Sequence, residues 1–369
     1  MMGDESRRRR IGLYGAVVAA VLVVGAGGVL LAAIHGSTDR SHSRATSAER
    51  PKPDQPPDEW PPMDTATAAS VTNKSVFDWS VNPYRGCQHA CAYCYARPTH
   101  SYLNLSPGID FETRIVAKVN AAEKLREAFA RKGYQPKMLN LGSVTDAYQP
   151  AERRLRITRG VVEVLAEHRH AFSVITKSAL VERDLDLIAP LAREHLAAVY
   201  LSITTLDPAL ARVMEPRAAA PHRRLQTVER LARAGVPVGV SVSPVIPFIN
   251  EPELERVLQA ARDAGATRAF SIVLRLPWEV SPLFQHWLGQ HFPDRAERVM
   301  ARVRDMRDGR DNDPRFGSRM RGQGVWAELL RQRFDKACAR LGLNRERFEL
   351  DLAAFEPPPA AQGRLFCDA

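Results

Sequence analysis

The sequence predicts an α/β protein: a parallel (β/α) barrel, complete or partial, with a helical C-terminal extension, preceded by a transmembrane helix and a proline-rich linker. Three observations predict it. Short apolar runs rich in β-branched residues recur from residue 137 to residue 274, roughly thirty residues apart, the length of a βαβ unit. Amphipathic stretches of helical period fill the intervals. Polar residues collect where successive apolar runs end, as they do at the carboxyl ends of barrel strands.

The chain opens with Arg7–Arg10 and then an uncharged stretch, Ile11 to Ile34. At about 1.5 Å per residue this stretch spans a ~30 Å hydrocarbon layer, and no small-residue cleavage site follows it. A membrane anchor over residues 11–34 is expected. Its glycines do not make a dinucleotide fingerprint, because no strand precedes them and Leu30 stands where a third glycine is needed. Arg7–Arg10 favour a cytoplasmic N-terminus, but Arg40, Arg44, Arg50 and Lys52 on the other side weaken that bias. Residues 37–75 hold Pro51, Pro53, Pro56, Pro57, Pro61 and Pro62 with few large apolar residues, the composition of a semi-extended linker.

The expected strands are Lys137–Gly142, Phe172–Thr176, Ala198–Ile203, Pro237–Val242 and Ala269–Leu274, each apolar enough to be buried on both faces. Between them, Asn120 with Glu123 reads as a capping box, and Thr158 opens a second helix. A third begins near His222 and stops at Gly235; Asn250 with Pro252 starts a fourth that ends near Gly265. The strand ends carry Ser143, Thr145 and Asp146, then Thr176, Lys177 and Ser178, then Ser202 and Thr204. Three successive ends of this kind predict one shared pocket. From Pro277 to Leu343 the pattern turns helical and arginine-rich, with Trp278, Phe284, Trp287, Phe292, Trp326, Leu329, Leu330 and Phe334 as expected core anchors. The divisions are therefore 1–36, 37–75, 76–276 and 277–369.

Composition narrows the class. With 45% hydrophobic and 25% charged residues the chain can bury a large core, so no disulfide framework is needed. The net charge of +10 suits polyanion binding, and suits an arginine-rich solvated surface equally well. Five cysteines, three of them clustered at Cys87, Cys91 and Cys94, make a metal site in a reducing compartment rather than a set of disulfides. A cytoplasmic catalytic domain, anchored through residues 11–34, follows. Cys338 reads as a buried small apolar residue.

The cluster segment reads NPYRGCQHACAYCYARPTH from Asn82 to His100, with thiols spaced Cx3Cx2C. Thiolates are the soft ligands that iron–sulfur clusters prefer. With His89 or His100 as a fourth ligand the same thiols would make a structural zinc site. Three alone leave one iron of a cubane open.

The spacing, with Tyr93 just before the last cysteine, resembles the radical S-adenosylmethionine (SAM) superfamily. The longer string resembles the spore photoproduct lyase-like, or DNA repair photolyase-like, branch, in the bacterial subgroup with NPYRGCxHxCxYCYARPTH. VTDAYQPAERRL from Val144, VITKS from Val174, SITTLD from Ser202, MEPRAAAPHRRL from Met214 and DPRFGSRMRG from Asp313 extend the likeness over nearly everything after the linker. The resemblance implies a partial (β/α)6-type barrel and a [4Fe–4S] cluster on Cys87, Cys91 and Cys94. It further implies reductive cleavage of SAM to a 5′-deoxyadenosyl radical that takes hydrogen from a substrate. An external electron donor of flavodoxin or ferredoxin type would feed the cluster.

By position, Tyr93 would lie near the SAM adenine, Asp146 would accept from its amino group, and Thr145 and Lys177 would hold its carboxylate. Ser202 would meet the ribose, and Glu215 and Arg224 match an EP…R pattern. Tyr95 matches a tyrosine implicated in radical relay. One position departs: Ser143 stands where the lyases carry a hydrogen-donating cysteine, so spore photoproduct repair does not follow. Nucleic acid is the family-level target; a protein or small molecule, or a non-catalytic membrane-tethered metal-binding module, are the alternatives. Arg315, Arg319 and Arg321 are candidate phosphate contacts by charge.

Overall fold

The computed structural model describes residues 79–315, 318–346 and 349–359, together with the backbone of two short strands, β1 (Ala20–Gly25) and β2 (Gly28–Leu31). These two strands correct the expected transmembrane helix. They pair antiparallel with each other, and β1 runs parallel to β5 (Arg114–Ala117), with Val21 beside Ile115. A valine-rich run with glycines at 25, 27 and 28 suits extended pairing and a tight turn better than a helix. The rest of residues 11–34 and the linker at 37–75 lie outside the described residues. Among those described, no helix is long and apolar enough to cross a membrane.

The main sheet has six strands, all parallel, in the order β10-β9-β8-β7-β6-β3. These are β3 (Trp79–Val81), β6 (Leu139–Leu141), β7 (Phe172–Thr176), β8 (Ala197–Ser202), β9 (Val238–Val245) and β10 (Arg268–Val273). β5 also pairs with β4 (Tyr84–Arg85), completing the smaller sheet beside the barrel. The crossovers are α1 (Ala121–Phe129), α2 (Ile157–Glu167), α3 (Leu185–Arg193), α4 (Pro221–Arg233) and α5 (Leu254–Asp263). A sheet of this order with helical returns is a partial α/β barrel, open between β3 and β10.

Five of the six barrel strands fall on expected runs. β3 was missed because three residues, two of them exposed, carry too little pattern to read. The strands alternate more than expected. Leu139, Leu141, Phe172, Val174, Val199, Val238 and Val240 face outward and pack in the core with Val161, Leu165, Ile188, Val228, Leu231 and Val257 of the helices. Each such fully buried side chain contributes about 1.5–3 kcal/mol. The opposite face carries Asn140, Ser173, Ser202, Ser241 and Ser243, small polar groups rather than core. It is closed at one point by Tyr200, whose ring lies over Gly239. A β-carbon at 239 would come within 2.2 Å of that ring, so any other residue there forces the ring to move.

Two expected caps do not form. The Asn120 side chain makes no capping bond to α1. Asn250 instead ties loops together: its Nδ2 donates to Thr204 O and Pro244 O, and its Oδ1 accepts from Ile246 N.

The C-terminal part is helical: α6 (Val280–His291), α7 (Pro293–Asp305) and α8 (Gly324–Leu341). α8 joins the main core through Leu330, Phe334, Ala337 and Cys338. α6 and α7 form a second core with Cys91, Tyr93 and Met214, through Phe284, Trp287, Val299 and Val303. Trp278 and Leu329 are corrections to the expected anchors, since they are 68% and 51% exposed. Trp278 sits at positive φ in the turn before α6, and Leu329 lies on the solvent side of α8, next to the buried Leu330.

Candidate active site

The cysteine segment leaves β4 through Gly86, whose φ is +79° and where a β-carbon would come within 2.8 Å of Phe111 O. The loop then winds tightly: Cys87 N donates to Phe111 O, Ala92 N to Met214 O, and Cys94 N to Cys91 O. Arg97, almost fully buried, clamps it. Its Nε and Nη2 both donate to Cys91 O, at 3.1 and 2.9 Å, and Nη2 also reaches Glu112 Oε1 at 2.6 Å.

All three thiols are free and line one cavity at the carboxyl ends of the strands, about 150 Å³ in volume, with Asp146, Lys177 and Ser202. Burial, then the charges of Asp146, Cys91 and Cys94, push the Cys87 thiol well up. Burial pushes Cys91 up to about 12, against the pull of the Lys177 ammonium. Two buried thiols, Cys87 and Cys91, with the half-buried Cys94 beside them, suit a soft metal centre, which deprotonates its thiols by coordination. Among the described residues no three His, Cys, Asp or Glu side chains close on a point that could hold a single metal ion. Thiolates around a cubane bind different irons and stand farther apart than the ligands of one ion.

The other expected residues sort into two groups. Tyr93, Glu215 and Arg224 form one buried network: Glu215 accepts from the Tyr93 hydroxyl, from Thr204 Oγ1 at 2.9 Å and from Arg224 Nη2. Arg224 also donates to Ser202 O at 2.8 Å. Burial would raise the Glu215 carboxyl, but Arg224 and Lys177 outweigh it and hold it down. Asp146 is engaged on both oxygens. Oδ1 accepts from Tyr148 N and Thr176 Oγ1, and Oδ2 accepts from Lys177 N at 2.8 Å and lies 3.3 Å from His89 Nδ1. Burial would raise this carboxyl too; His89, the Lys177 amide and Thr176 keep it well below the usual range. Thr145 Oγ1 donates to Gly86 O and accepts from Gln149 Nε2.

Lys177 and Tyr95 are presented differently. The Lys177 ammonium lies 5.8 Å from the Tyr93 ring centroid and carries no salt bridge among the described residues. Burial would lower its pKa, but the neighbouring Cys91 and Glu215 raise it, so it stays a cation. Tyr95 is 42% exposed; its hydroxyl donates to Ser143 O, and Arg275 stacks over its ring. Ser143 Oγ is 2.5 Å from Ser80 Oγ. Of the three arginines singled out by charge, Arg315 pairs with Asp308 and Asp313, and Arg319 lines a second cavity. Sequence reasoning missed Arg97, whose signal was a charged residue inside the quoted ARPTH string. It also missed Asn140, inside a strand read as largely apolar, and Ser243, one residue past the expected end of its strand.

Comparison with known proteins points to one family. Residues 81–261 match the radical SAM superfamily family model, just under half of the chain. An uncharacterized protein of Mycobacterium tuberculosis is 38% identical over 224 residues, 60% of this chain. The match spans 66% of that relative, just short of two thirds of its length. An uncharacterized protein of Methanocaldococcus jannaschii is 29% identical over 222 residues, covering 59% of this chain and 78% of the relative. Among solved structures, a spore photoproduct lyase mutant aligns with TM-score 0.53 at 16% identity, covering 73% of this chain and 76% of its own. Another mutant, with bound AdoMet and dinucleoside spore photoproduct, aligns with TM-score 0.51 at 15% identity, covering 72% and 74%. At these identities the structures establish a shared fold. The radical SAM superfamily implies a [4Fe–4S] cluster and SAM as cofactors.

Proposed function

We propose that this chain uses Cys87, Cys91 and Cys94 to hold a [4Fe–4S] cluster, cleaves SAM, and abstracts a hydrogen atom from a substrate in the barrel. The observation that carries the reading is that three free thiols, two buried and one half-buried, and the Lys177 ammonium line one cavity at the strand ends. When bound, the cluster supplies one electron that breaks a C–S bond of SAM, giving methionine and a 5′-deoxyadenosyl radical that takes a substrate hydrogen.

This chain's own residues bind and orient. Lys177 pairs with the SAM carboxylate, a charge-assisted contact in a partly dry pocket. The Tyr93 ring, fixed through Glu215 and Arg224, faces the adenine, and Ser202 meets the ribose. Asp146 and Thr145, whose oxygens are occupied by protein donors, hold the loops that carry His89, Gly86 and Lys177. Cys91 and Tyr93 sit against α6 and α7, whose apolar side chains keep water from one side of the loop.

Ser143 does not donate hydrogen, because its O–H bond is too strong. The Tyr95 phenol takes that part: its hydrogen passes to the product radical, and an electron from an external donor of flavodoxin or ferredoxin type, with a proton, restores the phenol.

The test is anaerobic reconstitution of the full chain with iron and sulfide, followed by electron paramagnetic resonance of the reduced protein. Binding of about four irons per chain, with a reduced-cluster signal that SAM alters, is expected. A single tightly bound zinc, or a signal indifferent to SAM, contradicts the reading.

A further inference from the structure

A second cavity at the strand ends, about 380 Å³ in volume, shares Cys91, Cys94 and Tyr95 with the thiol pocket, and adds Asn140, Arg275 and Arg319. Asn140 is completely buried on β6. Its Oδ1 accepts from Ser173 Oγ at 3.2 Å, while its Nδ2 has no hydrogen-bond partner. Ser243 Oγ, on β9 and lining the same cavity, is likewise buried without a partner. An unmet buried polar group is costly, so two facing one cavity are groups prepared for a ligand.

The charge of the cavity points the same way. The Arg275 guanidinium lies 4.1 Å over the Tyr95 ring centroid, and no carboxylate pairs with it among the described residues. Arg319 lines the same space, and its pKa is lowered by burial and then by the like charge of Arg275. The Arg275 guanidinium, without a carboxylate partner among the described residues and beside an apolar wall of Phe270 and Leu274, is suited to an anion.

We propose that this cavity is the substrate site, and that it takes a compact group carrying a phosphate or carboxylate. Arg275 and Arg319 hold the acid, and Asn140 Nδ2 with Ser243 Oγ hold an acceptor, such as a carbonyl, at the other end. The proposal deepens the function proposed above and rests on it for the chemistry, though not for the binding.

Calorimetric binding to the full chain tests it, using two probe pairs of like shape: uridine 5′-monophosphate against uridine, and orotate against uracil. The acid-bearing member of at least one pair should bind about tenfold tighter or more. The pair that shows it tells phosphate from carboxylate. Arg275→Met should bring the ratio near unity, and Arg275→Lys should restore part of it. Asn140→Leu should weaken both members of the pair and leave the ratio intact. Equal binding of acid and neutral probes, no binding by any of them, or an unchanged ratio in Arg275→Met in a sample that melts like the parent overturns the proposal. Iron content and SAM binding measured on the same sample separate the two ideas. Anion preference without a cluster defeats the radical reading alone, and a cluster without anion preference defeats the substrate site alone.

Discussion

Arg97 donates two hydrogen bonds to the carbonyl oxygen of Cys91, at 3.1 and 2.9 Å, from a side chain with almost no solvent exposure. It is the fixed point on which the middle thiol hangs, and Glu112 balances its charge. Arg97→Met removes both of these donors from the Cys91 carbonyl, leaving it Cys94 N, and leaves Glu112 with Arg217. It should cost about 3 kcal/mol of stability, read from denaturant unfolding, and lower the iron retained after reconstitution. Arg97→Lys should recover only part, because one ammonium cannot reproduce the fork.

Lys177 is the cation the pocket leaves unpaired. Lys177→Met should keep the cluster, since Lys177 is not one of its ligands, and weaken SAM binding by about 1.5–3 kcal/mol, some tenfold to a hundredfold in Kd. Equilibrium dialysis with labelled SAM reads this directly. Unchanged affinity would remove Lys177 from the cofactor site.

Far from the pocket, His170 makes stability depend on pH. It stacks on Phe129 with ring centroids 4.8 Å apart and bonds the Tyr134 hydroxyl at 2.9 Å. Burial lowers its pKa from 6.5 to about 4. The unfolded chain therefore takes up the proton first. Its contribution is complete above pH 6.5, falls as pH drops toward 4, and levels off below that, an overall loss of about 3 kcal/mol. His170→Phe should flatten that part of the stability–pH curve, measured by chemical denaturation at several pH values.

Gly239 and Tyr200 form a matched pair inside the barrel. Gly239→Ala drives a methyl into the Tyr200 ring and should destabilise by about 1–3 kcal/mol. Adding Tyr200→Leu should recover much of that loss, a coupling visible in a double-mutant cycle.

Much of this was legible in the sequence because periodicity and thiol spacing are local signals. Phe172–Thr176 was read to the residue, and the stop at Gly235 follows from its φ of +79°. The thiol loop was legible because its glycine and cysteines lie in one string. What was not legible depends on partners distant in sequence. The unpaired Nδ2 of Asn140 has meaning only once β6 lies beside β7, and the clamp from Arg97 only once its loop folds back on Cys91. Trp278 looked like core by its size, and the turn at positive φ turned it out to solvent. The run from Ile11 to Ile34 shows the limit of hydropathy: it measures apolar length, while strand or helix depends on what the backbone finds to pair with.

The central claim is that the three thiols and the Lys177 pocket cleave SAM. The most direct measurement is formation of 5′-deoxyadenosine by the reconstituted, dithionite-reduced full chain, compared with Cys91→Ala treated identically. The parent protein should produce 5′-deoxyadenosine together with methionine, and Cys91→Ala should produce none while keeping a folded far-ultraviolet spectrum. An iron-loaded parent that leaves SAM intact, or a Cys91→Ala variant that cleaves it equally well, would contradict the account.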